Sequence, residues 1–438
     1  MGSLRWVLPW LAVCATGLTG CAGYGSRFER LERDLAGGRP AAALALLDEK
    51  APAGRDRLLW HLERAMLLRM EGRFEASNRE FEIAKQVVEQ VSALSLREKG
   101  TALLFNDTAT SYQGAAYEQV AIHLYEALNY LELGDRDAAR VEALQVDVRL
   151  RELTQGDPDS IFHNDPFARY LSGMIFEDGG EWSDAMIAYR KAAQAYRDHG
   201  KHYSLAVPAA LRGDLLRSAE RLGLVEEAAE YRIALGLEQA PEPCGGGGSG
   251  EVVLLFHNGL VPVKVEQSLT VPVLVGHGQL VRIAVPAYHV RPVGAGGVVA
   301  EADRRRFAGQ VVANLGGMAV ADLEAHMGAI VARTAARVAA KYTASYATGK
   351  ENQWAGLLVN LAGVLTEQAD TRSWLTLPQE IRMIRLRLPP GEYPIELEIL
   401  GPGGGVVERR TLAPVAVSRG RRVYRSIHWV SLHSVMRH

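Results

Sequence analysis

The chain has 438 residues, 48% of them hydrophobic, with 49 basic and 51 acidic side chains and a formal net charge of -2. That length and apolar content suffice for two sizeable cores, and the near-neutral balance excludes a global electrostatic attraction to nucleic acid.

In chain order, the first element is an apolar run of about ten residues, Trp6 to Ala15, behind Arg5. It has the length of a secretory h-region and is too short to span a bilayer. Leu18-Thr19-Gly20-Cys21 follows it and resembles the lipobox of bacterial lipoproteins, in which the cysteine becomes the acylated first residue. The alternative is an ordinary signal peptide with a chance cysteine. The lipobox reading makes residues 1–20 a signal peptide, Cys21 the lipidation site and 21–26 a short tether. A single acyl chain holds weakly, at about 0.8 kcal/mol per buried methylene, so lasting attachment needs the several chains (palmitate among them) of a bacterial lipoprotein. Ala22 stands where lipoproteins kept in the inner membrane usually carry Asp, which by analogy favours the outer membrane, periplasmic face. Cys14 leaves with the signal and Cys21 is capped, so Cys244 is the one thiol left and no intramolecular disulfide forms. No other window approaches the roughly eighteen apolar residues that a spanning helix requires.

Residues 27–240 read as helical hairpins. An apolar residue, a turn glycine, an aromatic, a small residue, a second aromatic and an alanine recur, clearest from Phe176 through Gly180, Trp182, Ala185 and Tyr189 to Ala192. Gly72, Phe74, Ser77, Phe81 and Ala84 fit the same template, and weaker copies centre on Gly38, Gly134 and Gly223. The glycine closes each turn, the small residue lets two helices approach, and the aromatics fill the groove. Gly38 and Gly72 are 34 residues apart, the period of tetratricopeptide (TPR) repeats; later intervals of 62, 46 and 43 require insertions or longer helices. About five stacked hairpins are expected between Ser26 and Leu237, with Asp165-Pro166 as a helix start.

At Pro241–Gly250 a glycine-rich linker marks a boundary, and residues 251–438 read as an antiparallel β domain with a helical insert over 301–369. Strands are expected at 251–257, 279–286, 379–388, 393–400, 406–412 and 421–430, with Gly401–Gly405 as a hairpin turn. Tyr393, Ile395, Leu397 and Ile399 alternate with Glu396 and Glu398, the pattern of a sheet packed on one face. Alanine-rich 318–347 suits a closely packed helix. The fold class is α+β and multidomain: an all-α TPR-like solenoid followed by the β domain.

Five stretches carry a wider resemblance: Tyr112-Gln-Gly114-Ala-Ala-Tyr117-Glu118, Ala127–Leu131, Asp165–Ala168, Phe256–Pro262 and Ala369–Pro378. They resemble a family of uncharacterised TPR-containing outer-membrane lipoproteins of Gram-negative bacteria, along almost the whole mature chain. The resemblance implies no activity. Members often lie near lipoproteins that activate penicillin-binding proteins, which implies a cell-wall context.

Candidate binding residues fall in three groups. Arg333, Arg337 and Lys341 lie at i, i+4 and i+8, a cationic ridge on one helix, with Asp303-Arg304-Arg305-Arg306 adding charge. The ridge suits carboxylates of peptidoglycan stem peptides, acidic glycan or lipid head groups; alternatively it is a solvated face, or pairs with acids such as Asp370. In the second group Asp370 caps or pairs with Arg372, and Trp374 plugs a helix–strand junction or stacks on a ligand. The third, Tyr112, Gly114, Tyr117 and Glu118, shapes a loop entering a hairpin or forms a pocket.

No G-x-S-x-G elbow, S-x-x-K pair, H-E-x-x-H helix or P-loop is present. Cys244 beside a glycine run has no oriented base. His199 with His202, His428 with His433, and the acidic loop Asp157–Asp165 have neither the count nor the spacing of a known ligand set, so no metal and no cofactor are expected. The expected function is a periplasmic scaffold whose concave solenoid holds a segment of an envelope protein partner while the β domain makes a second contact, with peptidoglycan as a further contact. The alternative is an enzyme or enzyme subunit acting on cell wall or exported polysaccharide.

Overall fold

The computed structural model describes residues 22–235 and 248–431, apart from 51, 53, 99–109, 157–163, 204, 274–278, 290, 293, 352–359 and 361–366. The signal peptide, Cys21, Cys244, His433 and most of the acidic loop at 157–165 lie outside the described residues. In the first half the described helices pair into five hairpins: α1 (Ala22–Ala36) with α2 (Pro40–Asp48), α3 (Arg57–Met70) with α4 (Phe74–Glu98), α5 (Ala116–Leu133) with α6 (Arg136–Gly156), α7 (Pro166–Asp178) with α8 (Trp182–Tyr203), and α9 (Ala209–Arg221) with α10 (Val225–Leu235). Every connection turns on one glycine, Gly38, Gly72, Gly134, Gly180 or Gly223, at φ between 68 and 78. Each glycine N–H and the one after it return to carbonyls of the preceding turn, as from Gly180 to Glu177 and from Glu181 to Phe176. This is the left-handed helix stop that glycine adopts without steric cost. The small and aromatic residues of the repeat pack as their types require: Ser77, Ala185, Phe81 and Tyr189 are buried. Asp165 caps α7, accepting from the N–H groups of Phe167 and Ala168 at 2.9 Å each.

The second half is a β-sandwich. Strands β10 (Arg422–Trp429), β1 (Gly250–Asn258), β7 (Glu380–Leu388) and β6 (Gln310–Ala313) form one sheet in that order. The second contains β5 (Arg305–Ala308), β4 (Gly297–Ala302), β8 (Gly391–Leu400) and β9 (Val406–Val417). Between them lies a core of Val252, Leu254, Phe256, Ile384 and Leu386 against Val298, Ala300, Ile395, Leu397 and Ile399. A separate hairpin, β2 (Val263–Val273) with β3 (Gln279–His289), packs against the long helix α11 (Leu315–Glu351). Val253, Leu255, Ile381, Met383 and Tyr424, on the other face of the first sheet, join the helical core. Burial on both faces explains why β1 reads as a continuous apolar run rather than an alternating one.

The surface that the first helices of the hairpins would offer to a partner is therefore occupied, so the solenoid face expected to hold a partner segment is filled by the chain's own sheet. Its deepest seam is a closed network of charges. From the sheet, Arg385 bonds Asp214 at 2.7 Å and Glu251 at 2.8 Å, while Arg422 bonds Glu251 and Asp178 at 2.8 Å and Glu177 at 3.1 Å. From α9, Arg217 closes the ring to Glu177 at 2.7 Å and Asp214 at 2.6 Å. Hydroxyls of Tyr170 and Tyr424 donate to Asp214 and Asp178 at 2.7 and 2.8 Å. Each charge meets an opposite one, as burial demands, while Nη1 of Arg217 and Nη2 of Arg422 have no hydrogen-bond partner among the described residues.

Three further expectations are corrected. The insert does not begin at 301: β4, β5 and β6 occupy 297–313, and the helix starts at Leu315. The domain is not wholly antiparallel, because β10 crosses from the second sheet to lie parallel to β1. One described helix is long and apolar enough to cross a membrane by length and composition, Leu315–Thr348; here it packs on β3 and carries Arg333, Arg337 and Lys341. The β4–β5 turn places Asp303 and Arg304 at φ 51 and 57. Asp tolerates that region and Arg does not, so Arg304→Gly is expected to stabilise the protein by about 0.5–1 kcal/mol in urea denaturation. A loss of stability would show that the Arg304 side chain contributes more than its backbone costs.

Candidate functional site

Residues 367–379, ahead of β7, cross the solenoid as a strap. Two buried glutamates hold it. Glu63 of α3 accepts from the N–H groups of Leu375 and Thr376 at 2.8 and 3.1 Å, and Glu118 of α5 accepts from that of Trp374 at 2.8 Å. Glu118 also accepts from the N–H of Ala115 at 3.0 Å and from the hydroxyl of Tyr112. Burial pushes Glu63 up to about 7, against the lowering bonds from Thr376 and Leu375. Trp374 is fully buried, edge-on to Phe81 at 5.9 Å and Tyr125 at 6.1 Å, and its indole N–H donates to Thr376. The ligand readings of Trp374, Tyr117 and Glu118 are corrected, because none of the three retains an exposed surface.

Above the strap lies a cleft of about 300 Å³ lined by Tyr112, Gly114, Lys264, Arg333, Arg337, Asp370 and Arg372. It brings together residues from the α4–α5 loop, β2, α11 and the strap. Arg372 is committed to structure: it pairs with Asp370 at 2.8 Å and Asp56 at 3.2 Å and lies 5.4 Å over the Tyr112 ring. Arg337 is buried and meets Glu367 at 3.4 Å; Lys341 takes the other oxygen of Glu367 at 2.7 Å and does not line the cleft. The acid that pairs the ridge is thus Glu367 rather than Asp370. Lys264 sits 5.6 Å over Tyr288 and donates to the Arg372 carbonyl at 3.4 Å. Arg333 is exposed at the cleft wall. Of the charged residues that line the cleft, Lys264, Arg333, Arg337 and Arg372 are positive and Asp370 is negative, with Glu367 and Asp56 pairing to Arg337 and Arg372 from outside it. The cleft can hold an anionic group near Arg333 and Lys264.

Sequence reasoning missed Lys264, although Val263-Lys264-Val265-Glu266 alternates with the strand period. It also missed His123, Glu126 and Glu142, whose ligand atoms lie within 4.8 Å of one another. Lys85 already fills that place, its ammonium 2.9 Å from Glu126 and 3.2 Å from Glu142. Burial, with Glu142 adding to it, pushes Glu126 up to about 8. A fixed ammonium stands where a cation would bind. Of the pair His428 and His433, His433 lies outside the described residues, and His428 stacks instead on His257 at 4.2 Å.

No protein-family profile and no curated protein sequence matches the chain. Solved structures with some similarity include MamA from Desulfovibrio magneticus RS-1, 17% identical, covering 49% of this chain and 94% of that one at a TM-score of 0.29. A putative kinesin light chain with nearly identical TPR-like repeats from P. anserina is 18% identical, covering 48% and 92% at a TM-score of 0.32. BtubC from P. vanneervenii is 15% identical, covering 48% and 76% at a TM-score of 0.29.

Proposed function

We propose that the protein is a non-enzymatic, lipid-anchored adaptor of the outer membrane, facing the periplasm, that holds an acidic segment of an envelope protein partner in the cationic cleft. The observation that carries the reading is the convergence of Lys264, Arg333, Arg337 and Arg372, from separate parts of the chain, on one cleft with an exposed guanidinium at its wall. Complementary charge gives such a contact specificity and a fast on-rate more than raw affinity. With the groove of the solenoid filled by its own sheet, the partner is assigned to this rim. The cell-wall context implied by family resemblance agrees with an envelope partner, and the lipobox supplies the address.

A photo-crosslinker at Gln113, an exposed cleft residue, tests this in intact envelopes. A discrete protein adduct is expected, reduced at least about tenfold by Arg333→Glu combined with Lys264→Glu. Adducts unaffected by the charge reversal would overturn the reading, and adducts to sacculi alone would transfer it to peptidoglycan. Metabolic labelling with an alkyne palmitate analogue tests the anchor: label on the wild-type chain and none on Cys21→Ala is expected, and an unlabelled wild-type chain would remove the address.

A further inference from the structure

A second and larger cleft, about 880 Å³, opens on another side of the molecule, between the turns after α1 and α3 and the edges of β10 and β9. Its volume falls in the range of small-molecule sites. Met70, Phe74, Val407 and Trp429 give it apolar walls, and Arg69 and His428 stand among them.

Arg69 is unusual among the buried arginines. Arg217, Arg291, Arg337 and Arg422 each pair with a carboxylate: Glu177, Glu32, Glu367 and Glu251 respectively. Arg69 is only 2% exposed, yet its hydrogen bonds go to two neutral groups, the Asn129 side-chain oxygen and the Ser426 hydroxyl. Its guanidinium lies 5.7 Å from the Phe74 ring and 5.5 Å from that of Tyr125. Its Nε has no hydrogen-bond partner among the described residues, a trait it shares with nitrogens of Arg217, Arg291 and Arg422; what sets Arg69 apart is the lack of a bonded carboxylate. Glu132 acts on it only through space; its oxygens accept from the Ser426 N–H and, at 3.4 Å, from Arg425. Burial lowers the pKa of Arg69, opposed by Glu132 and then Tyr125.

Beside it, the Nε2 of His428 is also buried without a partner. Burial and the nearby Arg69 hold that imidazole neutral, and in the tautomer that carries the ring proton on Nε2 this nitrogen is a donor without an acceptor. The remaining charges of the cleft cancel: Glu408 pairs with Arg410 and accepts from the Trp429 indole N–H at 2.7 Å. A buried cation is stable when an anion bonds it, and this cleft supplies the cation, a second donor and apolar walls, with Glu132 acting on the cation only through space and no carboxylate bonding it.

We propose that the cleft binds a small carboxylate with an apolar body, the carboxylate at Arg69 and His428 and the body against Phe74, Met70 and Trp429. This site is independent of the cationic cleft, since the two share no lining residue. The test is calorimetric titration of the full chain in nanodiscs, corrected against empty nanodiscs, with octanoate, naphthalene-2-carboxylate, octanol and acetate. At least one apolar acid is expected to bind about tenfold or more tighter than both octanol and acetate, the effect of a charge-assisted bond that needs both head and body. Preference for octanoate would assign an alkyl ligand, and preference for the naphthoate an aromatic one. Arg69→Met should abolish the preference over octanol. Val407→Trp, at an exposed rim position outside the cores, should weaken the acids about tenfold by filling the cleft while leaving the thermal midpoint unchanged, and it keeps the proposal testable if Arg69→Met does not fold. Equal binding of acid and alcohol, no binding of either acid, or unchanged affinity in Val407→Trp would overturn it.

Discussion

Replacing Arg422 by methionine is expected to cost about 3–5 kcal/mol of folding free energy, the range for removing one partner of a buried ion network. The arginine is fully buried at its side chain and reaches three acids, Glu177, Asp178 and Glu251. Burial opposes its charge, and those three acids more than offset the cost, holding it well above the ordinary arginine range. Methionine fills much of the volume but leaves the carboxylates with too few donors in a place that water does not reach. The network also spans the two halves of the chain, so its loss should loosen the sheet from α7 and α9 before either core melts. Urea denaturation of the purified chain followed by tryptophan fluorescence checks both points, with loss of the single cooperative transition as the sign of loosening. Arg409→Met, which removes an exposed partner of Glu398, is the control and should leave the midpoint nearly unchanged. Adding Glu251→Gln to Arg422→Met should recover part of the loss, because deleting both charges leaves less unpaired than deleting one. If Arg422→Met loses no more than the Arg409 control, the seam does not hold the halves together.

What was legible in the sequence was what short stretches of chain determine for themselves. A glycine that must take a positive φ ends a helix wherever it stands, so all five hairpin turns could be located before any packing was known. Alternation in β8 predicted its buried face correctly, Ile395, Leu397 and Ile399 inward. The β4–β5 hairpin escaped because its two-residue turn is Asp303-Arg304, without the glycine that usually announces that geometry. Without the turn signal the segment merged with the alanine-rich helix after it. The parallel pairing of β10 with β1 joins residues about 170 positions apart, as in Glu251 with Arg422, and no local pattern encodes it. The charged seam was hidden for the same reason: its members are scattered from Tyr170 to Tyr424, and each alone looks like an ordinary surface charge or aromatic. For the cationic cleft, the helical spacing of Arg333, Arg337 and Lys341 predicted a shared ridge. It could not say that Glu367 would pair with two of the three and leave Arg333 exposed.

Stability should pass through a maximum between about pH 4.5 and 6 and fall steeply on the acid side. Glu251 sits against Arg385 and Arg422, which overcome its burial and hold its carboxyl at about 2, below the ordinary 4.5. Between those two values the unfolded chain binds a proton that the folded one does not. The contribution of Glu251 is therefore complete above about 4.5 and is lost as the pH falls toward 2. A shift of that size corresponds to about 3 kcal/mol. Asp214, depressed by Arg385 and Arg217 against its burial, acts in the same direction. Glu63 has the opposite sign: burial raises it to about 7, so the folded protein takes up its proton first, and stability increases as the pH falls from 7 to 4.5. Glu126, raised to about 8, adds to that arm, while His257 and His428, held neutral by burial well below the ordinary 6.5, oppose it below about pH 6.5 and level it into the maximum. Urea midpoints at pH 8, 5 and 3 should accordingly rise and then drop. Glu251→Gln should lower the midpoint at pH 5 and flatten the drop from 5 to 3 by up to one proton, while Glu63→Gln should flatten the rise from 8 to 5 and leave the acid arm intact. A midpoint that holds or climbs between pH 5 and 3 would mean that the seam carboxylates are not held ionised by their arginines, and the closed charge network would then be a wrong description of how the sheet is bound to the helices.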